Sequence, residues 1–316
     1  MNKKRVAIIG ATGFLGLYIS ETLSKSGFDV YGFIRSKNSD DYKIYKKLKL
    51  KTIIVGNLEE IKKIDIQKKT FDFVINLAAR AHINQNVTEN NQKFINKLSN
   101  IERNIVENFD NKKVKLIQIS SAKVKLLRNH TSINKNELIY IKGKLQSEKI
   151  ISKNFKRYII LRPPLVYGPH VKANFLTLMK AIDFGIPLPF ANLKNARSYL
   201  YIGNLADLII KIIKDNKFLN NKYYVCDGKP ISTTELSETI AKHLSKKVKK
   251  IRVNINYLYF LSKIFKKKSL LDKVIGNFVV NNNELKKDID WKPKYNFTTG
   301  IKNTCFWYKT MFKMKE

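Results

Sequence analysis

The sequence predicts an α/β fold in which a doubly wound parallel sheet is followed by a smaller, mostly helical lobe. Short apolar runs alternate with amphipathic stretches through the first half of the chain, as in a parallel sheet covered by helices. One such run, residues 71–78, is almost wholly apolar, which is typical of a strand buried on both faces. Beyond Pro163 and Pro164 this alternation weakens and helical patterns dominate.

Each element follows from its local pattern of apolar residues. In the first half, strands are expected over residues 6–10, 29–34, 51–55, 71–78, 114–120 and 158–162. The helices between them are expected over residues 14–25, 91–108 and 140–154. The second half predicts a strand over residues 222–226 and helices over residues 174–184, 204–214, 233–244, 256–265, 282–287 and 299–311. We therefore expect a sheet domain over residues 1–165, to which 199–227 return, and a lobe over 166–198 and 228–316.

The composition limits the class of protein. With 316 residues, 44% of them hydrophobic, the chain can bury a sizeable core. No run reaches the roughly 20 apolar residues that a membrane-spanning helix needs, and none near the N-terminus resembles a signal peptide. The isolated Cys226 and Cys305 suit a reducing compartment, so we expect a cytoplasmic protein. Four histidines without ligand spacing predict no metal site.

The net charge of +36 admits several kinds of partner. A strongly basic chain is typical of proteins that bind nucleic acid, an anionic membrane surface or acidic small ligands. The lysines are spread along the whole chain, which favours a compositional bias and a phosphate-binding site over specific nucleic-acid recognition. A nucleic-acid-binding protein on an enzyme scaffold stays open as an alternative, as does peripheral membrane binding through residues 257–261 and 266–268.

A glycine-rich turn lies where the first predicted strand meets the first helix. Its seven residues are Gly10, Ala11, Thr12, Gly13, Phe14, Leu15 and Gly16. The first glycine permits a tight turn, the second lets backbone approach a pyrophosphate, and the third lets helix and strand pack closely. The N-terminus of the helix then faces the phosphate charge. The motif predicts a dinucleotide cofactor bound to a Rossmann-type sheet.

Three further residues have the chemistry of an acid–base site. Tyr140 and Lys144 are four residues apart in a predicted helix, so their side chains share one face. A free phenol is a poor acid–base catalyst at neutral pH, and a neighbouring ammonium stabilises its phenolate form. Ser121 ends the preceding strand, where its hydroxyl can donate to an oxygen that gains negative charge. We expect these three side chains to be catalytic.

Together these motifs resemble the extended short-chain dehydrogenase/reductases of the NAD-dependent epimerase/dehydratase family, and within it the UDP-glucose 4-epimerase-like subgroup. The Gly-x-x-Gly-x-x-Gly spacing is similar to the family's, and the serine pattern fits Ser121 better than Ser120. The resemblance spans nearly the whole chain and is weakest in its last part. Besides the glycine-rich turn, it implies cofactor contacts at Leu77, Ala78, Ala79, Asn96, Tyr140, Lys144 and Pro163.

The end of the second strand bears on the choice of cofactor. NAD-preferring members of the family place an acid there, which holds the ribose hydroxyls. This chain has Ile34 at that position, and the guanidinium of the following Arg35 can bind a 2′-phosphate. We therefore expect NADP(H), with NAD(H) as the alternative. Asn57 replaces an acid that contacts adenine in the family, and it keeps a carbonyl acceptor.

The resemblance also implies a nucleotide-sugar substrate, a UDP-sugar. Asn174 and Arg197 lie where the family holds the diphosphate, and Tyr167 is a further substrate-binding candidate. Two reactions fit. Arg35 favours an NADPH-dependent 4-ketoreductase of a UDP-(N-acetyl)-6-deoxy-4-keto-hexose in surface-polysaccharide biosynthesis, and the alternative is a UDP-hexose 4-epimerase with tightly bound NAD. The sequence is compatible with a homodimer, but it sets neither the oligomeric state nor the sugar.

Overall fold

The fold is described from a computed structural model of the full chain. The structure describes residues 3–38, 40–57, 70–78, 95–96, 99–110, 112–128, 133–189, 193–251, 253, 257, 271 and 274–313. Apart from Tyr257, the predicted helix over residues 256–265 and the two basic or apolar segments proposed for membrane binding lie outside these residues. The predicted cofactor contact Ala79 also lies outside them.

A seven-stranded parallel sheet dominates the first part of the molecule. In chain order the strands are β1 (Arg5–Ile9), β2 (Asp29–Ile34), β3 (Lys51–Ile54), β4 (Phe73–Asn76), β5 (Lys115–Ile119), β6 (Tyr158–Arg162), β7 (Leu165–Tyr167), β8 (Tyr199–Tyr201) and β9 (Asn221–Tyr224). The sheet has the order β3-β2-β1-β4-β5-β6-β9, and β7 pairs separately with β8. The strand order reverses between β1 and β4, which creates the switch point at which such sheets bind ligands. The predicted doubly wound sheet is confirmed.

Helices cover the connections between the strands. Those described are α1 (Phe14–Lys25), α2 (Asp40–Lys47), α3 (Asn100–Asn108), α4 (Lys135–Asn154), α5 (Ala173–Asp183), α6 (Ile202–Lys214), α7 (Thr233–Leu244), α8 (Asn283–Ile289) and α9 (Phe297–Lys313). Helix α4 begins at Lys135 rather than at Tyr140, because the Asn134 side chain caps it by accepting from the backbone N–H of Glu137 at 2.9 Å. None of the described helices is long and apolar enough to span a membrane.

The chain divides into two compact units. The first contains Met1–Pro163, Ala206–Tyr224 and Glu284–Trp291, and the second contains Pro164–Leu205, Val225–Asn283 and Lys292–Glu316. The largest differences from the sequence-based division are at two segments. Residues 199–205 belong to the second unit, since β8 pairs with β7. Residues 284–291 belong to the first, where the Trp291 indole donates to Asp207 at 3.0 Å.

Aromatic packing makes the first unit a rigid support for the ends of its strands. Tyr31 and Phe33 of β2 pack edge-on against Phe71, with ring centroids 5.5 and 5.9 Å apart, and Phe109 lies 5.9 Å from Phe71. These buried rings join an aliphatic cluster drawn from β1, β4, β5 and β6. Buried contacts of this kind hold side chains in single rotamers. The carboxyl ends of the strands, where the site residues follow, are therefore held in fixed positions.

Candidate active site

The turn between β1 and α1 has the shape that a pyrophosphate requires. Gly10 has a φ of +81°, and a Cβ atom at this position would lie 2.8 Å from the backbone nitrogen of Ala78. A Cβ atom on Gly16 would overlap the carbonyl oxygen of Gly10. Gly13 caps α1 without a side-chain hydrogen bond, and the first turn of the helix contains no acidic residue. The helix N-terminus thus keeps backbone N–H groups and positive potential for an anion.

Two further expected cofactor contacts, Leu77 and Asn96, make hydrogen bonds through their backbones. Leu77 is buried and donates from its backbone to the carbonyl of Ile9 at 3.0 Å, which aligns the loop after β4 with the glycine-rich turn. The carbonyl of Asn96 accepts from the Ser99 hydroxyl at 3.0 Å. In the turn itself Thr12, Phe14 and Leu15 are half-buried, as is Gly10. The turn has tightly packed glycines, and α1 begins with no side-chain cap and no acidic residue in its first turn. These features fit a dinucleotide cofactor.

The ends of β2 and β3 lie at the same edge of the sheet. Ile34 of β2 pairs with Ile54 of β3, and Ile34 is only 1% exposed. Arg35 follows directly and is exposed, and among the described residues its side chain makes no hydrogen bond. Asn57 follows β3 by a few residues and is half-buried. The strand end thus presents a cation where an acid is needed to hold free ribose hydroxyls.

The three residues expected to be catalytic all lie in the first unit. Ser121 follows β5 and is half-buried, and Tyr140 is half-buried on α4. Lys144, one turn further along α4, is 8% exposed and donates from Nζ to the carbonyl of Ile119 at 3.3 Å. Within the described residues, no hydrogen bond engages the Tyr140 hydroxyl. The arrangement combines a buried ammonium with a phenol that keeps an open face.

The two neighbouring serines have different roles. Ser120 is buried and donates to Glu148 at 2.6 Å, and Glu148 also accepts two hydrogen bonds from Arg162, at 2.9 and 2.5 Å. This paired and buried carboxylate ties α4 to β5 and β6. The Ser120 hydroxyl is committed to that network, which leaves the half-buried Ser121 as the hydroxyl with access to a ligand. The backbone beside it is fixed, since Ala122 donates to the buried Pro163 carbonyl at 2.8 Å.

Lys123 is a second cation near Tyr140 that the sequence analysis did not single out. Its ammonium lies 5.7 Å from the centre of the Tyr140 ring and 2.6 Å from the carboxylate of Glu137. Its backbone N–H donates to the Ser121 hydroxyl at 3.3 Å. Position 123 is one of many lysines in a basic sequence, so no pattern distinguished it from surface charge.

A buried polar cluster formed by side chains of α3, β4 and β5 was also missed. Glu102 of α3 is 3% exposed and accepts hydrogen bonds from Asn76 and Gln118, both at 3.1 Å. Asn76 in turn accepts from the backbone N–H of Ala78 at 3.1 Å. The sequence held one signal of this cluster: an acid, Glu102, lies next to Ile101 on the buried face of α3, which is otherwise apolar. Among the described residues, no group of acids, histidines or cysteines could hold a metal ion.

The second unit holds two candidates for binding the diphosphate. Asn174 is exposed in the first turn of α5, whose N-cap residue Lys172 makes no side-chain cap. Arg197 is half-buried, and its Nη1 donates to the carbonyl of Gly276 at 2.6 Å. Its charge also acts on the Tyr199 hydroxyl, where it partly offsets the rise in the pKa of that phenol caused by burial. Part of the Arg197 guanidinium is thus used within the unit.

The structure does not support Tyr167 as a substrate-binding residue. Its side chain is 0% exposed, and its hydroxyl donates to Asp227 at 3.4 Å. The ring stacks on Phe175 at 5.4 Å and packs against Tyr201 at 5.6 Å. Burial raises the pKa of Asp227 to about 6, although hydrogen bonds from Asn204 and from the Tyr201 backbone oppose the rise. Tyr167 is a core residue of the second unit, because the apolar packing of its ring leaves no surface for a ligand.

Comparison with known proteins agrees with this geometry. The model of the NAD dependent epimerase/dehydratase family matches residues 6–226. The chain is 29% identical to a UDP-glucose 4-epimerase from Vibrio cholerae, covering 96% of this chain and 94% of the relative. It is 25% identical to an N-acetyl-α-D-glucosaminyl-diphospho-ditrans,octacis-undecaprenol 4-epimerase from Escherichia coli O157:H7, covering 77% and 73%. The crystal structure of UDP-glucuronic acid 4-epimerase from Bacillus cereus with NAD shares the fold, with a TM-score of 0.72, 16% identity and 98% coverage of both chains.

Proposed function

Because the chain belongs to the NAD dependent epimerase/dehydratase family and is an enzyme of that kind, we propose that it interconverts a hydroxyl and a ketone at C4 of a UDP-hexose. The observation that supports this most directly is that Tyr140, with an open phenol, and Lys144, with a buried ammonium, form an i, i+4 pair on one helix, while the half-buried Ser121 follows β5. Two reactions use this pairing. They are 4-epimerisation and reduction of a 4-keto sugar.

In this proposal each side chain acts on the oxygen or the proton at C4. Tyr140 takes the hydroxyl proton when C4 is oxidised and returns a proton to the same oxygen when C4 is reduced. The Ser121 hydroxyl donates a hydrogen bond to that oxygen, and Lys144 stabilises the phenolate form of Tyr140 through its charge. When bound in the glycine-rich turn, a nicotinamide cofactor supplies the two-electron oxidant or reductant. Its pyrophosphate would be held by the backbone of Gly13 and Phe14.

Of the two reactions, we place 4-epimerisation first. The 29% identical relative that aligns along almost the whole chain is named a UDP-glucose 4-epimerase, and the 25% identical relative is a 4-epimerase of a lipid-linked sugar diphosphate. A specific feature supports the reductase as the second candidate. The exposed Arg35 after β2, with no acid at Ile34, suits NADPH, which a reductase consumes and must exchange at every turnover. The narrow preference for a reductase drawn from the sequence thus rests on one arginine.

For the substrate, we propose that Arg197 and Asn174 bind its diphosphate. The half-buried guanidinium contacts Gly276 and Tyr199, and its positive charge and planar set of five N–H donors suit a phosphate. Asn174 lies in the first turn of α5, where backbone N–H groups and an amide side chain suit an anion. Titration calorimetry with UDP tests this proposal. Arg197→Lys keeps the charge but loses the planar fork, so we expect UDP binding to weaken about tenfold or more.

A single set of measurements on the purified protein separates the two reactions. An epimerase regenerates its own cofactor, so we expect nucleotide to co-purify and be identified as NAD by mass spectrometry. Without added cofactor, NMR should then show UDP-glucose or UDP-N-acetylglucosamine converting to the 4-epimer. A reductase would instead purify with little nucleotide and oxidise NADPH in step with loss of a UDP-4-keto-6-deoxy sugar. Absence of both activities over a panel of UDP-sugars would contradict the proposal.

A further inference from the structure

The two hydroxyls proposed to act on the C4 oxygen come from different elements of the first unit. Ser121 immediately precedes a short 3₁₀ helix (Ala122–Arg128), whereas Tyr140 lies on α4. Both hydroxyls must reach one substrate oxygen at hydrogen-bond distance, so the two elements have to be held at a fixed separation. The 3₁₀ helix packs against α4. The side-chain contacts between these two elements therefore bear directly on the proposed reaction.

Lys123 contacts both elements. Its backbone N–H donates to the Oγ of Ser121 at 3.3 Å. Its ammonium lies 5.7 Å from the centre of the Tyr140 ring, within the range of a cation–π contact. The same ammonium donates at 2.6 Å to the carboxylate of Glu137, in the first turn of α4. One residue thus joins the serine hydroxyl, the tyrosine ring and the beginning of the helix that carries the tyrosine.

These contacts leave the reactive atoms of both side chains open. The Ser121 hydroxyl accepts from Lys123, so its own proton can still be donated to a ligand. The ammonium of Lys123 lies over the ring of Tyr140, and no hydrogen bond from the described residues engages the hydroxyl of that ring. Glu137 balances the charge of Lys123, so the ion pair adds little net charge beside the phenol. The pair is therefore suited to fixing positions, whereas Lys144 supplies the charge.

Tyr140 lies between two places at which α4 is tied to the chain around the end of β5. On its C-terminal side, buried contacts of Lys144 and Glu148 hold the helix. On its N-terminal side, the described tie is the pair of Lys123 and Glu137, whose side chains are 36% and 19% exposed. A partly exposed ion pair contributes little to the stability of the whole fold. We therefore expect this pair to act locally, on the position of the tyrosine.

We propose that Lys123 is a positioning residue. Through its pair with Glu137, it holds the Ser121 hydroxyl and the Tyr140 phenol in the arrangement in which both reach one substrate oxygen. The inference rests on the proposed function, because Lys123 acts only through those two side chains. Without the pair, the first turns of α4 are held by fewer contacts, and small displacements of reacting groups are costly in rate.

A double-mutant cycle on kcat tests the proposal. Lys123→Met keeps the length of its side chain, Glu137→Gln keeps its shape, and each removes the ion pair. Because both changes break one contact, each should lower kcat about tenfold and the double variant should lose no more than either. KM should stay within about threefold, and Lys123→Arg, which keeps the pair, should retain most of the turnover. The matched control Lys25→Met breaks an equally short ion pair with Glu21 on α1 and should match the unchanged protein.

Three kinetic outcomes would overturn the inference. Losses that multiply in the double variant, or a normal kcat for Glu137→Gln, would mean that Lys123 acts without the pair. A raised KM with normal kcat in Lys123→Met would mean that Lys123 binds the substrate instead. Should Lys123→Met not fold, Glu137→Asp withdraws the carboxylate by one methylene and should also lower kcat. A normal kcat for that variant overturns the inference equally.

An NMR measurement separates this inference from the proposed function. Protein that contains ¹³C-labelled tyrosine gives a ring signal for Tyr140, which is assigned by its loss in Tyr140→Phe. We expect this signal to shift or broaden in both Lys123→Met and Glu137→Gln, because the ring loses the contact that holds it, and to stay unchanged in Lys25→Met. A Tyr140 signal that is unaltered in the two pair variants overturns the inference without any assay of activity. The proposed function fails separately, if Tyr140→Phe keeps normal turnover.

Discussion

The two units of the molecule use tyrosine in opposite ways. Tyr140 in the first unit is half-buried, and its hydroxyl makes no hydrogen bond to any described residue. Tyr167 in the second unit is fully buried, and its hydroxyl is held by Asp227 at 3.4 Å while its ring packs among other aromatic rings. Both residues stand in motifs that resemble the same family. The difference indicates that a motif residue is available for chemistry only where the fold leaves its polar atom open.

The largest expected effect is on turnover by Tyr140→Phe. The change removes the proposed proton carrier and leaves the helix face nearly the same, so kcat should fall by about 10²–10⁴. The measurement is kcat for the active sugar, with thermal unfolding recorded beside it. Tyr167→Phe is the matched control from the second unit and should keep kcat within about threefold. It should lose roughly 1 kcal/mol of stability, because a buried hydroxyl bond disappears. Near-normal turnover by Tyr140→Phe would contradict the proposed role of Tyr140 in proton transfer.

The same contrast explains what the sequence could predict. Elements with strong local periodicity were found to the residue, as at Phe14–Lys25, Tyr158–Arg162 and Thr233–Leu244. The two short strands Leu165–Tyr167 and Tyr199–Tyr201 were missed, because three residues show no alternation and their pairing joins distant parts of the chain. Local patterns report local structure.

The candidate site divides along the same line. The glycine-rich turn could be predicted because the demand on its backbone is local and only glycine meets it. The roles of Ser120, Tyr167 and Glu102 depend on partners far along the chain, at Glu148, Asp227 and Asn76. No spacing of residue types encodes such pairings. The catalytic role of Ser121, Tyr140 and Lys144 stays a prediction until the variants are measured.

The second-largest expected effect concerns cofactor binding, and it compares two arginines, one from each unit. Arg35 is exposed after β2, whereas Arg197 is half-buried and donates to Gly276. If Arg35 binds a 2′-phosphate, Arg35→Ala should weaken NADPH binding by about 1.5–3 kcal/mol, and NADH binding should hardly change. Titration calorimetry with both cofactors provides the measurement. Equal losses for the two cofactors, or tighter binding of NADH by the unchanged protein, would remove the support for a reductase.

The second unit can be tested through the pH dependence of its stability, because the pKa of Asp227 is raised in the folded protein. Its pKa of about 6 in the folded protein exceeds the 3.8 usual for aspartate, so between these values the folded state binds more proton than the unfolded state. This group's contribution to stability is therefore complete below about pH 4 and is lost as pH rises through about 6, by up to roughly 3 kcal/mol. Asp227→Asn cannot titrate, so the stability difference between the two proteins should change in that direction from pH 4 to 6. A difference that stays constant across this range would contradict the assignment.

The smallest expected effect concerns the net charge of +36. Several lysines are paired with acids on the surface, among them Lys25 with Glu21 and Lys211 with Asp215, at 2.6 and 2.8 Å. If the positive charge is spread over both units rather than concentrated on one nucleic-acid-binding surface, binding to RNA or duplex DNA should be weak and vanish near physiological salt. Fluorescence anisotropy with labelled RNA and DNA at several salt concentrations measures this. Tight binding that discriminates between sequences at physiological salt would mean that the basic surface has a function of its own. The contrast between the two units would then no longer describe everything the protein does.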